Sequence, residues 1–144
     1  MSKVEDFLSK SEEIEIVNAI QIAENNTSGE IRVHIEKKTS LAPLERAKEV
    51  FSMLEMEKTQ NRNAVLVYVA VKTKQFAIYG DEGIHNKVSD DFWNSTKDIM
   101  QPLFAARNQK DALVQGVLKI GEQLKQYFPF LENDQNELPN EISE

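Results

Sequence analysis

Apolar positions recur along this chain in two rhythms, one helical and one alternating, and the switches between them divide it into elements. Ser9, with Glu12 three residues on, has the pattern of a capping box. Ile14, Val17, Ile20 and Ala23 follow at helical spacing until Asn25, Asn26 and Gly29 stop the helix. Ile31, Val33 and Ile35 then alternate with Arg32, His34 and Glu36, which predicts a strand with one wet or lightly covered face. Ser40 and Pro43 open a second helix with Leu44, Ala47, Phe51 and Leu54 on its inner stripe. Residues 64–71 are continuously apolar and rich in β-branched side chains, the pattern of a central strand covered on both faces.

Strand, helix and strand in that order predict a right-handed parallel crossover. A short turn at 72–74 leads into 75–79, where Phe76 and Ile78 alternate with Gln75, Ala77 and Tyr79, so a hairpin is predicted and the sheet is mixed. Ser89 is the N-cap expected for the next helix, with Asp90 and Asp91 where the helix dipole favours carboxylates. Phe92, Thr96, Ile99 and Leu103 are predicted to share its inner face, and Pro102 to kink or break it. A last helix over 111–127 places Leu113, Val117, Ile120 and Leu124 inward, and Pro129 ends it. Gly116 and Gly121 within it each cost roughly 1 kcal/mol relative to Ala, which implies close packing against a neighbour.

Composition narrows the class. At 144 residues and 40% apolar content the chain is predicted to be one α/β domain over residues 1–128, with a mobile acidic tail over 129–144. Five acidic and no basic residues follow Pro129, so most of the formal net charge of −7 belongs to that tail. A net negative chain argues against nucleic acid and anionic lipid as partners. The absence of cysteine excludes disulfides, thiolate nucleophiles and Cys-ligated metals. The charged first residues lack the apolar stretch of a secretory signal, and no run approaches the roughly 20 residues of a membrane span. The expectation is a cytoplasmic monomer, with the sheet edge or the acidic tail as surfaces for a protein partner.

Conventional catalytic signatures do not occur: no Walker loop, paired-glycine fingerprint, nucleophile elbow or zinc-binding histidine pair. Carboxylates remain. Asp81 and Glu82 follow a strand's end, and Asp90 and Asp91 come a short connection later, a spacing that allows a hard oxygen site for Ca²⁺ or Mg²⁺. The same residues also suit a turn and a dipole-favoured first turn. His34, beside Arg32 and Glu36, is either a ligand or proton donor in a groove, or part of a cross-strand ion-pair ladder. Arg62 and Asn63, just before the central strand, either steer an anion or shape a turn, and Trp93 beside Phe92 is expected in the core.

Three stretches taken in order carry a family resemblance: TSGEIRVHIE at 27–36, TQNRNAVLVYVAV at 59–71 and FAIYGDEGIH at 76–85. They resemble the TPM domain family, named partly for a thylakoid-lumen acid phosphatase and proteins of photosystem repair. The match continues through DFW at 91–93 and GVLKIGEQLKQYFP at 116–129, covering roughly residues 5–130. The resemblance implies a three-layer α/β/α sandwich with a mixed central sheet, a divalent-cation site and a phosphatase activity. It looks like a bacterial member consisting of the domain alone.

Two functions follow as expectations. The first is a module that binds a divalent cation (Ca²⁺ or Mg²⁺) or a partner protein without turnover, with Asp81, Glu82, Asp90 and Asp91 as metal ligands. The second is a metal-dependent acid phosphatase acting on phosphomonoesters, in which Arg32 or Arg62 clamps the phosphate and His34 or Asp81 handles protons.

Overall fold

The computed structural model describes residues 7–129 together with Ile142 and Ser143. Its elements, in chain order, are α1 (Lys10–Glu24), β1 (Glu30–Glu36), α2 (Pro43–Met53), β2 (Ala64–Ala70), β3 (Gln75–Gly80), α3 (Glu82–His85), α4 (Asp90–Ala105) and α5 (Gln109–Tyr127). The strands form a mixed sheet in the order β1-β2-β3, with β1 parallel to β2 and β3 antiparallel to β2. The predicted parallel pairing of strands joined through a helix and the predicted hairpin are both present.

Strand alternation divides the core into two. Ile31, Val33, Ile35, Val65, Val67, Val69 and Ile78 pack with α1, α4 and α5. Ala64, Leu66, Tyr68, Ala70 and Ala77 face the other way, against Ala47, Val50 and Phe51 of α2. The result is the three-layer α/β/α sandwich. Ser9 and Glu12 close α1 with the predicted reciprocal capping box. Gly116 and Gly121 sit against Met100 and Ala23, so the glycines of α5 are where α4 and α1 come closest to it.

Several inner stripes lie a residue away from their predicted positions. In α1 the buried set is Ile16, Ala19, Ile20 and Ala23, while Ile14 is 56% exposed. In α2, Val50 is buried and Leu44 is exposed; in α4, Met100 replaces Ile99. A helix with apolar residues on both flanks of its stripe leaves periodicity alone indifferent to a small rotation, and tertiary packing decides. Pro102 lies within α4, which ends three residues later at Ala105. Ser89 is the N-cap residue of α4, but its side chain makes no capping bond.

The face of β1 predicted to be wet is covered. Arg32 and His34 are 9% and 7% exposed. One contribution comes from Ser143, which pairs in parallel with His34: Ile35 N donates to Ser143 O (2.9 Å) and Ser143 N to Val33 O (2.8 Å). The predicted mobile tail otherwise falls on residues outside the described ones. Among the described residues no helix is long and apolar enough to cross a membrane.

Candidate functional site

β3 runs antiparallel to β2, so its last residues lie beside the start of β2, at the amino end of the parallel pair. Asp81 N donates to Ala64 O at 2.9 Å, carrying the pairing one step past β3. The Asp81 side chain, 3% exposed, is the N-cap of α3 and accepts from Glu82 N at 2.8 Å. It also receives both arms of one guanidinium: Arg62 Nε at 2.7 Å and Nη2 at 2.8 Å. Glu82 Oε1 lies 3.2 Å from Arg62 Nη1. Bidentate geometry of this kind fixes orientation as well as charge.

The loop that delivers Arg62 is itself held. Arg62 adopts φ 50°, and its carbonyl accepts from Gly83 N at 2.9 Å. A Cβ on Gly83 would collide with the carbonyls of Asn61 and Arg62, so only glycine lets α3 lie this close. Asn63 is buried, with Nδ2 donating to Ser28 Oγ at 3.2 Å and its backbone N–H donating to Thr59 Oγ1 at 3.3 Å. Nearby, Glu24 accepts from Ile31 N at 2.8 Å. Burial pushes the Glu24 carboxyl up to about 8 against that hydrogen bond, with Glu30 adding to the rise.

Asp90 and Asp91 are exposed in the first turn of α4. They do not join Asp81 and Glu82: among the described residues no three His, Asp or Glu side chains converge into a group able to hold a metal ion. Both oxygens of Asp81 already accept, from Arg62 and from Glu82 N at the α3 N-terminus, so the four carboxylates do not stand assembled as a ligand set for Ca²⁺ or Mg²⁺. The strand end involved is also the amino end of the parallel pair, whereas open α/β sheets place ligands at the carboxyl end.

The clamp positions a groove. α3 presents His85 to a concavity of about 530 Å³ that is also lined by Lys48 of α2, Tyr79 of β3, and Asp90, Trp93, Asn94 and Lys97 of α4. The His85 ring centroid is 5.2 Å from Trp93 and 6.2 Å from Tyr79. Gly80 makes room for the Trp93 ring, which a Cβ there would strike. Trp93, expected in the core, therefore packs on the core with one side and lines the groove with the other.

His34 and Arg32 lie elsewhere, on the α2-facing side of β1. Glu36 accepts from Arg46 Nε at 2.9 Å and Nη2 at 3.0 Å, from the Tyr68 hydroxyl, and from His34 Nε2 at 3.3 Å. A carboxylate only accepts, so Nε2 carries the proton and Nδ1 is left to accept from Ser143 Oγ at 3.0 Å. Burial opposes ionisation of Glu36, but these donors outweigh it and hold the carboxyl at about 2. Burial lowers the His34 pKa. Arg32 Nε is buried without a hydrogen-bond partner among the described residues. The His34 contact with Glu36 is a hydrogen bond within the strand rather than the cross-strand ion-pair ladder expected, and the contact across strands is the stack of His34 on Tyr68.

A family model described as the TPM domain matches residues 1–123. The chain belongs to the TPM domain family. It is 52% identical to the BA42 protein of the psychrophilic bacterium Bizionia argentinensis, whose NMR structure superposes with a TM-score of 0.92 over 99% of each chain. The N-terminal domain of the cg2496 protein of Corynebacterium glutamicum is 12% identical, with a TM-score of 0.66 over 95% of this chain and 80% of that one. The N-terminal domain of a protein from P. gingivalis is 19% identical, with a TM-score of 0.69 over 85% of this chain and 79% of that one. The last two share the fold. No curated protein matches the chain.

Sequence reasoning passed over Lys48, His85 and Lys97 in this TPM domain. Each sits on a different helix, so no spacing along the chain links them. The usable signal was Gly80 and Gly83 flanking two acids: glycines at a strand end mark close approach, here by Trp93 and by the 61–62 backbone.

Proposed function

We propose that this TPM domain is a binding module that takes up an acidic segment of a partner protein in the groove between α2, α3 and α4, without turnover. The observation that carries this reading is the groove's lining. Two lysines, Lys48 and Lys97, come from helices on either side of it, Lys48 at the exposed surface with Glu45 Oε1 3.6 Å from its ammonium, and His85, Tyr79 and Trp93 supply aromatic surface between them, with Asp90 the one acid in the lining. Ammonium groups at the rim attract carboxylates, and aromatic faces give contact area at low conformational cost. Arg62 and Asp81 are the support: they fix α3 and so the position of His85.

Trp93 is the sole tryptophan of the chain, so its emission reports on the groove directly. Titration with hexaglutamate is expected to change that emission saturably, and the Lys48→Glu/Lys97→Glu double variant to abolish the change. Emission that stays constant, or responds equally in the variant, contradicts the reading.

One observation favours the phosphatase as a second reading. His85 and Asp90 line the same groove as the two lysines, so groups able to transfer protons share it with cations suited to a phosphomonoester. On this reading para-nitrophenyl phosphate is hydrolysed and His85→Asn abolishes turnover. Hydrolysis unaffected by His85→Asn removes it.

A further inference from the structure

The opposite end of the sheet carries a second concavity. It has a volume of about 750 Å³ and opens where β2 ends, at the carboxyl end of the parallel pair, between the β2–β3 turn and the junction of α4 with α5. That is the side on which open α/β sheets bind ligands, and the volume falls within the range of small-molecule sites. Its wall is mainly apolar, with Val71, Phe76, Phe104 and Ala105 lining it beside Gln75, Gln101 and Gln109, and the Phe76 and Phe104 rings lie 4.9 Å apart at 35°.

Two cations line the same cavity, Lys74 and Arg107. Both are exposed, and neither has an ion pair or a side-chain hydrogen bond among the described residues. Other exposed lysines of the chain, Lys37 and Lys72 among them, are also without an ion pair among the described residues; what distinguishes Lys74 and Arg107 is that both line this cavity. Lys74 and Arg107 both take positive φ, 55° and 61°, a conformation disfavoured for such side chains. An apolar cavity with cations left unpaired beside it matches one kind of molecule, an apolar chain ending in a single negative group.

We propose that this groove binds a single-chain carboxylate of medium length, its hydrocarbon against Val71, Phe76 and Phe104 and its carboxylate between Lys74 and Arg107. The site is separate from the His85 groove and does not depend on it.

Octanoate titrated into the ¹⁵N-labelled full chain tests this, with acetate and 1-octanol as the head-only and tail-only probes. Octanoate is expected to give saturable amide shifts at 71–76 and 104–107 while the Trp93 indole signal stays still. Acetate is expected to do nothing, and octanol to bind at least about fivefold more weakly. Lys74→Gln/Arg107→Gln, changes at exposed residues, are expected to bring octanoate down to the octanol affinity with the rest of the spectrum unchanged. Equal affinity for octanoate and octanol, scattered shifts, or no saturation by about 10 mM overturns the proposal. Tighter binding at the same amides by a peptide with an apolar C-terminal residue overturns it too, and assigns the groove to a protein terminus.

Discussion

The two ends of the sheet treat their cations in opposite ways. At the amino end of the parallel pair, Arg62 is gripped by both oxygens of buried Asp81 and touched by Glu82, and the loop behind it is bonded to α3. At the carboxyl end, Lys74 and Arg107 line an apolar cavity with no carboxylate partner among the described residues. The first arrangement satisfies its polar groups internally and serves as a support; the second leaves them available. A cluster of acids in the sequence is therefore no guide to a ligand site unless the cations that neutralise it are located as well.

Substitutions at the two ends break this contrast most sharply. Gly83→Ala drives a methyl into backbone that cannot yield, and is expected to cost about 3 kcal/mol in urea denaturation. Ala105→Leu, facing the open cavity, is expected to change stability by less than about 0.5 kcal/mol. Comparable losses at both sites would erase the distinction. Asp81→Ala removes the N-cap of α3 and is expected to cost about 1 kcal/mol from that bond alone, with loss of the His85–Trp93 contact by NMR. An unperturbed groove in that variant would remove the supporting role of the clamp.

Smaller effects lie in the pH dependence, where the ends of β1 have opposite slopes. Glu24, near its start, is raised from 4.5 to about 8, so the folded state holds more protons than the unfolded one. Its contribution is complete below about pH 4.5 and is lost as pH rises through 8. Glu36, at its far end, is held at about 2, so its contribution is present above 4.5 and lost as pH falls toward 2. The lowered His34 contributes in the same direction as Glu36, losing stability as pH falls below its ordinary 6.5. Unfolding midpoints are expected to rise at pH 8 relative to pH 5 in Glu24→Gln compared with the parent. In Glu36→Gln the parent's loss on acidification is expected to flatten. Parallel slopes in the two variants would contradict these assignments.

The architecture was legible because it rests on local signals. The alternation of β1, the unbroken apolar run of β2 and the Ser9 capping box each specify an element without knowledge of the rest. Helix rotation was less legible, since Ile14 and Ile16 compete for one stripe and only packing against α5 chooses between them. The site was least legible. Asp81 is legible as a candidate but its role is not, because its partner Arg62 lies 19 residues away across the β2–β3 hairpin. The groove draws on α2, β3, α3 and α4, and no one-dimensional spacing encodes such a meeting.

One ¹⁵N spectrum holds both halves of the central claim in two side-chain N–H signals, Arg62 Nε and the Trp93 indole. The account predicts that Arg62 Nε–H, donating to Asp81 at 2.7 Å, stays put through a calcium titration, while the Trp93 signal moves saturably with hexaglutamate. Displacement of the Arg62 signal by calcium, with a Trp93 signal indifferent to the peptide, would make the amino end a cation site and contradict the account.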